Sequence, residues 1–418
     1  MIENSAQQTK NIMIKMWRKL IQPYAALITL IVFILIWLFS TVRPNLHFLN
    51  PFSYGLKDYE ITDIVYSRMR DEQIKMEDRI VIVNTGRPDR VQIAQMLQRI
   101  HAAQPKAIGI DVLFSTRKEP AGDSLLLAGI IQSENLVLAS ELENYREDIG
   151  QFQAISGVDS FFNQHARTGY INFPSTETRT IRYFSPSEET AEGPAFSFAA
   201  EMARLYDPAA FEQMRKRRKG LETIHYASTA SSYIHFEPET ILDTTIDLTA
   251  QLSGKIVLMG YSSDEEGDCP LLDKFYTPLN PSYSGRSDPD MYGIIIHANI
   301  IQMILDGRYV RNVPGWLSIL LAVLCCYWNV LIVDKVEDKY PRIYHPITRV
   351  IQIVELVLLF FIISVLFYAF RLKLDFTYGL FALALYFDVL LSYEGFSKRR
   401  HGRLINKLPR IFKKEKTE

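Results

Sequence analysis

Eight polar side chains stand where a binding crevice is expected: Asn84, Thr85, Asp111, Glu141, Ser262, Ser263, Asp264 and His297. All but His297 follow, or nearly end, an apolar run that reads as a strand. In open α/β sheets the loops at the carboxyl ends of strands form the default ligand site. Amide, hydroxyl and carboxylate groups there suit a small polar ligand, and His297 on a following helix is placed to approach them. Plainer readings stand beside two of the eight. Asp111 could cap or hydrogen-bond a neighbouring loop, and His297 could be a satisfied structural histidine.

Catalytic patterns fit less well. Gly260-Tyr261-Ser262-Ser263-Asp264 approaches a hydrolase elbow, but that turn needs a second glycine where Asp264 stands. Asp264, Glu265, Glu266, Asp268 and Asp273 offer carboxylate oxygens of the kind hard cations take, yet their spacing is not that of a calcium hand. A solvated acidic loop is the simpler reading. No Walker-type loop, paired metal-binding cysteines or zinc-protease helix occurs. The expectation is no enzyme, no cofactor and no metal. Cys269 stands apart from Cys325 and Cys326, which lie in an apolar run, so no disulfide framework is available to the polar domain.

The elements that must position these groups alternate. Arg79-Ile80-Val81-Ile82-Val83 is β-branched and short, residues 91–101 have helical periodicity, and Ala107-Ile108-Gly109-Ile110-Asp111-Val112-Leu113-Phe114 is a second apolar run. A helix at about 124–133 and the run Asn135-Leu136-Val137-Leu138-Ala139 extend the pattern. Gly254-Lys255-Ile256-Val257-Leu258-Met259-Gly260 and a helix over about 293–305 close it. This predicts an α/β fold with a mixed, mainly parallel sheet and flanking helices. Short aromatic runs at 170–173, 180–184 and 233–236 read as antiparallel additions, with an amphipathic helix over 194–206 between them. The basic run Arg215-Lys216-Arg217-Arg218-Lys219 reads as a solvated face, with an anionic partner such as lipid headgroup as the alternative. It lacks the aromatic interleaving of a nucleic-acid surface.

A near-zero formal net charge of −1 averages two materials. Apolar runs at 24–42, 314–333, 350–370 and 376–396 are each long enough to cross about 30 Å of hydrocarbon as a helix. Residues 1–23 carry Lys10, Lys15, Arg18 and Lys19, the 334–349 connection carries Lys335, Lys339, Arg342 and Arg349, and the 397–418 tail is basic. The positive-inside rule puts these three segments in the cytoplasm and residues 43–313 on the far side, with 371–375 as a small outer loop. The first run lacks a small-x-small cleavage pattern after Leu38, which favours an uncleaved anchor over a signal peptide. Within the spans, Glu355 and Asp388 are the unusual residues. Asp388 is expected to bond Tyr327 or Asn329 across the bundle, with a proton path or a partner-helix contact as the alternatives. The tail at 398–416 is suited to lie on anionic headgroups, where each clustered cation gains about 1 kcal/mol.

The ordered motifs Arg79-Ile80-Val81-Ile82-Val83, Ala107-Ile108-Gly109-Ile110-Asp111-Val112-Leu113-Phe114, Gly254-Lys255-Ile256-Val257-Leu258-Met259-Gly260, Asp273-Lys274-Phe275-Tyr276-Thr277-Pro278 and Gly293-Ile294-Ile295-Ile296-His297-Ala298-Asn299 resemble the type-2 CHASE domain. Over roughly residues 45–396 the layout is similar to that family's: an extracytoplasmic sensory module between one N-terminal and three C-terminal spans. Two departures stand out. Asn84-Thr85-Gly86 replaces the family's acidic turn after the first strand, and about twenty mostly basic and polar residues follow the last span in place of a catalytic output domain.

The resemblance implies a multi-pass inner-membrane sensor with its large domain extracytoplasmic, in the periplasm of a Gram-negative cell. Such a protein would bind a small ligand or envelope partner, signal in trans to a separate membrane or cytoplasmic protein, and form a homodimer. A constitutive envelope scaffold is the alternative expectation.

Overall fold

A computed structural model describes residues 22–41, 60–68, 75–174, 179–262, 273–280 and 288–405. The chain divides into two compact units, Pro51–Arg311 and the pair Met1–Asn50 with Asn312–Glu418.

In the first unit the strands of the main sheet are β1 (Ile80–Asn84), β2 (Ala107–Ile110), β3 (Leu136–Arg146), β4 (Gln151–Ser156), β5 (Arg167–Tyr170), β6 (Ser187–Thr190), β7 (Gly193–Phe196), β8 (Ile234–Phe236) and β9 (Ile256–Gly260). They form one sheet in the order β8-β1-β9-β2-β3-β4-β6-β7, with β5 also paired to β3. The pairings of β8 with β1, β1 with β9, β9 with β2, β2 with β3 and β3 with β5 are all parallel. β3 changes partner along its length. Leu136, Val137 and Leu138 join β2, whereas the strand from Glu141 onward pairs antiparallel with β4.

Helices α1 (Pro23–Thr41) and α2 (Ile61–Arg68) precede the sheet, and α3 (Arg90–Ala102) and α4 (Pro120–Gln132) follow its first two strands. Asp89 and Gln92 form a reciprocal capping box that starts α3 directly after the β1 turn. Val81, Val83, Ile108, Ile110, Leu136, Leu138, Val257 and Met259 pack with Ile93, Leu97 and Ile100 of α3 and Leu126 and Ile130 of α4. Side chains on a strand alternate between faces, so the intervening residues must be covered from the other side. There α5 (Phe198–Tyr206) and α7 (Gly293–Asp306) lie, with α6 (Pro208–Lys216) packed against both. The approach is close at Gly109, where a Cβ would stand 2.6 Å from the Phe198 ring and 2.8 Å from the Met202 sulfur. Coverage of both faces explains why β1 and β9 are apolar at nearly every position, as parallel strands are.

Several expectations change. Of the three aromatic runs, only Tyr183 and Phe184 pair antiparallel, with Thr223 and Glu222. β5 and β8 join the parallel core instead. Alternating burial reports which residues face inward and carries no information on strand direction, which the connections set. The helix expected over 194–206 starts only at Phe198, where the Ser197 hydroxyl accepts from the Ala200 N–H, and Gly193–Phe196 is β7. β2 stops at Ile110, short of the expected Phe114, which makes only an isolated bridge to Val158. Within the basic run, Arg217 is tied down by both oxygens of Glu222 and lies over the Tyr309 ring.

The second unit holds α1, α8 (Gly315–Lys339), α9 (Tyr344–Phe370) and α10 (Thr377–Ile405). Among the described residues, α1, α8 and α9 are long and apolar enough to cross a membrane, and α10 is outside that set. The four-span expectation therefore meets three apolar helices and one helix that carries Asp388 and Glu394. α10 is nonetheless packed into the same core: Ala382, Leu383 and Tyr386 cluster with Ala25, Ile28 and Val32 of α1 and Cys326 and Val330 of α8. Around Glu394 the Tyr24 and Tyr393 rings meet at 5.4 Å and the Tyr344 hydroxyl reaches the Glu394 carboxylate at 3.5 Å. Elsewhere in the unit the Val313 N–H donates to the Lys373 carbonyl at 2.9 Å.

Gly109→Ala should lower unfolding stability by about 1–3 kcal/mol, because the added methyl overlaps Phe198 and Met202. Denaturant unfolding of the full chain in detergent checks this, and an unchanged midpoint contradicts the close approach.

Candidate functional site

The ends of β1, β9 and β2 bring four of the eight residues together. Asn84 ends β1 in register with Gly260, the last residue of β9. Its Oδ1 accepts from the Gly86 N–H at 2.9 Å and the Ser262 N–H at 3.1 Å, and its Nδ2 donates to Glu237 Oε2 at 2.6 Å. Gly86 takes a φ of +59°, which lets the turn fold back on Asn84. The Thr85 N–H donates to the Gly260 carbonyl and the Asp111 N–H to the Met259 carbonyl. Asn84, Thr85 and Ser262 are buried. Asn84 thus acts as a stitch joining β1, the turn after β9 and the residue after β8, with both ends of its amide already engaged.

Asp111 differs. It is half-buried, and its carboxylate has no hydrogen-bond partner among the described residues. Its backbone sits where Gly260 permits a close approach, a Cβ on Gly260 falling 3.2 Å from that of Asp111. Loss of solvent, and then the negative charge of Asp273, push its pKa up to about 7. Of its two sequence readings, capping a loop with the side chain finds no support in these contacts. The group is an acid poised to hold or release a proton near neutrality.

Glu141 stands apart, where β3 turns from parallel to antiparallel pairing opposite Ser156. It neighbours the residue 111–114 loop through Gly157, whose φ is +89° and whose added Cβ would meet Leu113 Cδ2 at 2.7 Å and the Glu141 nitrogen at 3.3 Å. Ser263, Asp264, Glu265, Glu266, Asp268 and Cys269 lie outside the described residues, whereas Asp273 is described and exposed. No group of three His, Cys, Asp or Glu side chains among the described residues is placed to hold a metal ion.

His297 is only 3 % exposed. Its ring stacks on Phe173 at 5.0 Å and meets Phe198 edge-on at 5.4 Å, while Phe173 in turn packs against Phe275. Its Nδ1 is buried without a partner among the described residues. Burial alone lowers its pKa to about 3, so the imidazole is neutral at physiological pH. Its observed contacts are those of an aromatic packing element. Asn299, two residues on, is also structural: it exchanges hydrogen bonds with the Ser228 backbone at 2.9 and 3.0 Å.

Glu237 was missed because the run ending at Phe236 reads as antiparallel. With β8 parallel to β1, Glu237 is another carboxyl-end residue and belongs beside Asn84.

In the helical unit Asp388 pairs with Arg349, whose guanidinium lies over the Phe387 ring, and not with Tyr327 or Asn329. Asn329 Nδ2 instead donates to the Cys325 carbonyl of its own helix at 3.1 Å. Glu355 Oε2 is buried with no partner among the described residues.

Asp111 makes stability pH-dependent with a definite sign. The folded chain keeps this proton up to about pH 7, whereas an unfolded aspartate releases it near pH 4. The contribution is therefore complete below about pH 4 and is lost as pH rises through about 7, with a slope of at most about 1.4 kcal/mol per pH unit. Denaturant titrations across this window should show Asp111→Asn losing that part of the slope; identical slopes contradict the assignment.

Residues 28–332 match the CHASE2 domain family. No curated protein and no solved structure gives a significant match. The matched region takes in well over half of the 418 residues, the whole parallel sheet and most of the two apolar helices that bracket it in sequence. The chain belongs to the CHASE2 family of sensory domains.

Proposed function

We propose that this chain is a non-catalytic membrane sensor whose extracytoplasmic domain binds a small polar ligand beside Asp111 and signals in trans through its helices. The observation that carries the reading is Asp111 itself: a carboxylate at the carboxyl end of a central strand, drawn partly out of water, with no described partner. Such a group costs stability unless something binds it. In a CHASE2 protein that something is a ligand or an envelope partner. The departure at Asn84-Thr85-Gly86 moves recognition away from the β1 turn, where the Asn84 amide is occupied.

The topology we favour has four spans, α10 included, both termini in the cytoplasm and the large domain outside. Supporting it are the cations at 10–19, 335–349 and 397–418, and the contacts among Tyr24, Tyr344, Tyr393 and Glu394, which gather the start of α1, the start of α9 and the later part of α10. Output then belongs to a separate membrane or cytoplasmic protein, since a ligand acts only through unequal affinity for two arrangements of the helices. Homodimerisation is part of this reading and is carried by the membership in the CHASE2 family. The second reading, a constitutive envelope scaffold, is favoured by the number of crevice groups already satisfied within the fold: Asn84, Thr85 and Ser262.

A thermal-shift screen of the full chain in detergent against small envelope metabolites separates the two. A ligand at 100 times its Kd should stabilise the chain by about 2.7 kcal/mol. Asp111→Asn should lose the shift and His297→Met should keep it. No shift with any compound, together with stoichiometric co-purification of a second protein, overturns the sensor reading in favour of the scaffold.

A further inference from the structure

The end of α6 and the turn after it gather cations, of which the domain pairs only some. Arg215 pairs with Glu212, and Arg217 is held by Glu222. Lys216, Arg218 and Lys219 are exposed and have no ion pair among the described residues, and Leu221 beside them is 45 % exposed. The loop has a fixed shape. The Gly220 carbonyl accepts from the Ser185 hydroxyl at 2.8 Å, Glu222 pairs in a short antiparallel strand with Phe184, and Arg217 is clamped between the Glu222 carboxylate and the Tyr309 ring at 4.0 Å. Three cations without an ion pair among the described residues and one exposed leucine are thus presented on a turn whose backbone is held in place.

Tyr309 supplies the second observation. It lies only six residues before Gly315, the first residue of α8, one of the helices long and apolar enough to cross a membrane. Six residues reach at most about 20 Å even when fully extended. Trp316, 67 % exposed at the start of that helix, is the residue type that settles at the boundary between hydrocarbon and headgroups. The chain that holds Arg217 through Tyr309 thus runs within six residues into a helix long and apolar enough to cross a membrane. Clustered Lys and Arg within a Debye length of an anionic bilayer are attracted to it, and an exposed leucine adds interfacial burial.

We propose that the turn formed by Lys216, Arg218, Lys219 and Leu221 docks on anionic phospholipid headgroups. The surface reads phosphate charge in the bilayer, and its recognition is of lipid rather than of nucleic acid or a soluble anion. Docking would hold the CHASE2 domain against the membrane by a contact separate from its covalent links, so lipid composition becomes an input to the domain independent of the Asp111 crevice.

Hydrogen–deuterium exchange on the full chain tests this in nanodiscs of phosphatidylcholine alone and of phosphatidylcholine mixed with phosphatidylglycerol. Exchange in the residue 216–222 peptides should slow in the mixed discs, and about 1 M salt, which shortens the Debye length to about 3 Å, should remove the slowing. The triple variant Lys216→Glu, Arg218→Glu, Lys219→Glu should lose the slowing, while Lys216→Arg, Arg218→Lys, Lys219→Arg keeps it because headgroup attraction depends on charge. Unchanged exchange in β1 peptides verifies that each variant is folded. Equal exchange in both discs, slowing that survives charge reversal, or the same protection in phosphatidylcholine discs with soluble glycerophosphate added would each overturn the proposal.

Discussion

Burial of the central strands on both faces is the constraint from which the rest of the domain follows. Once α3 and α4 cover one side of β1, β2 and β9 and α5 and α7 cover the other, no side chain inside the sheet is free for polar work. Polar groups are pushed to the strand ends, where Asn84, Thr85, Asp111, Ser262 and Glu237 collect. The tight layer spacing also determines where glycine is needed. Gly109 makes room for Phe198 and Met202, Gly169 makes room for the Phe198 backbone, and Gly260 lets Ile294 and Asp111 approach. The crevice is thereby a by-product of close packing, and its chemistry depends on which strand-end groups satisfy one another and which do not.

That division separates Asp111 from its neighbours. Asn84 spends its amide on three elements, and the backbone groups of Thr85 and Asp111 continue the ladder toward β9. Asp111 alone among the central strand-end groups keeps a carboxylate without a described partner. The motif around His297 and Asn299 works in the opposite sense: one residue fills an aromatic stack and the other binds the Ser228 backbone. In the turn after β1 the Asn84 amide is likewise spent within the fold.

Much of this was legible in the residues. The runs that became β1, β2, β3 and β9 are apolar and β-branched, and the helices between them carry helical spacing, so a parallel core was readable from periodicity. Direction was not readable for the aromatic strands, because alternation of burial is the same in either sense. That one ambiguity hid Glu237, since only a parallel β8 puts it at the carboxyl edge. β4, β6 and β7 were not anticipated, as the half-exposed Gln151–Ser156 strand has no clean alternation to signal it. In the helices, length and hydropathy identify α1, α8 and α9, whereas α10 trades apolar character for Asp388 and its partner across the bundle, Arg349. A polar pair between helices is invisible to any reading that takes one segment at a time.

The account stands or falls on the placement of the CHASE2 domain outside the cytoplasm. In a Cys269→Ser, Cys325→Ala, Cys326→Ala background, a single cysteine at the exposed Glu147 and, separately, one at Lys339 can be probed in intact cells with a membrane-impermeant maleimide. The expected result is labelling of Glu147→Cys without permeabilisation and of Lys339→Cys only after it. Labelling in the reverse order would contradict the account.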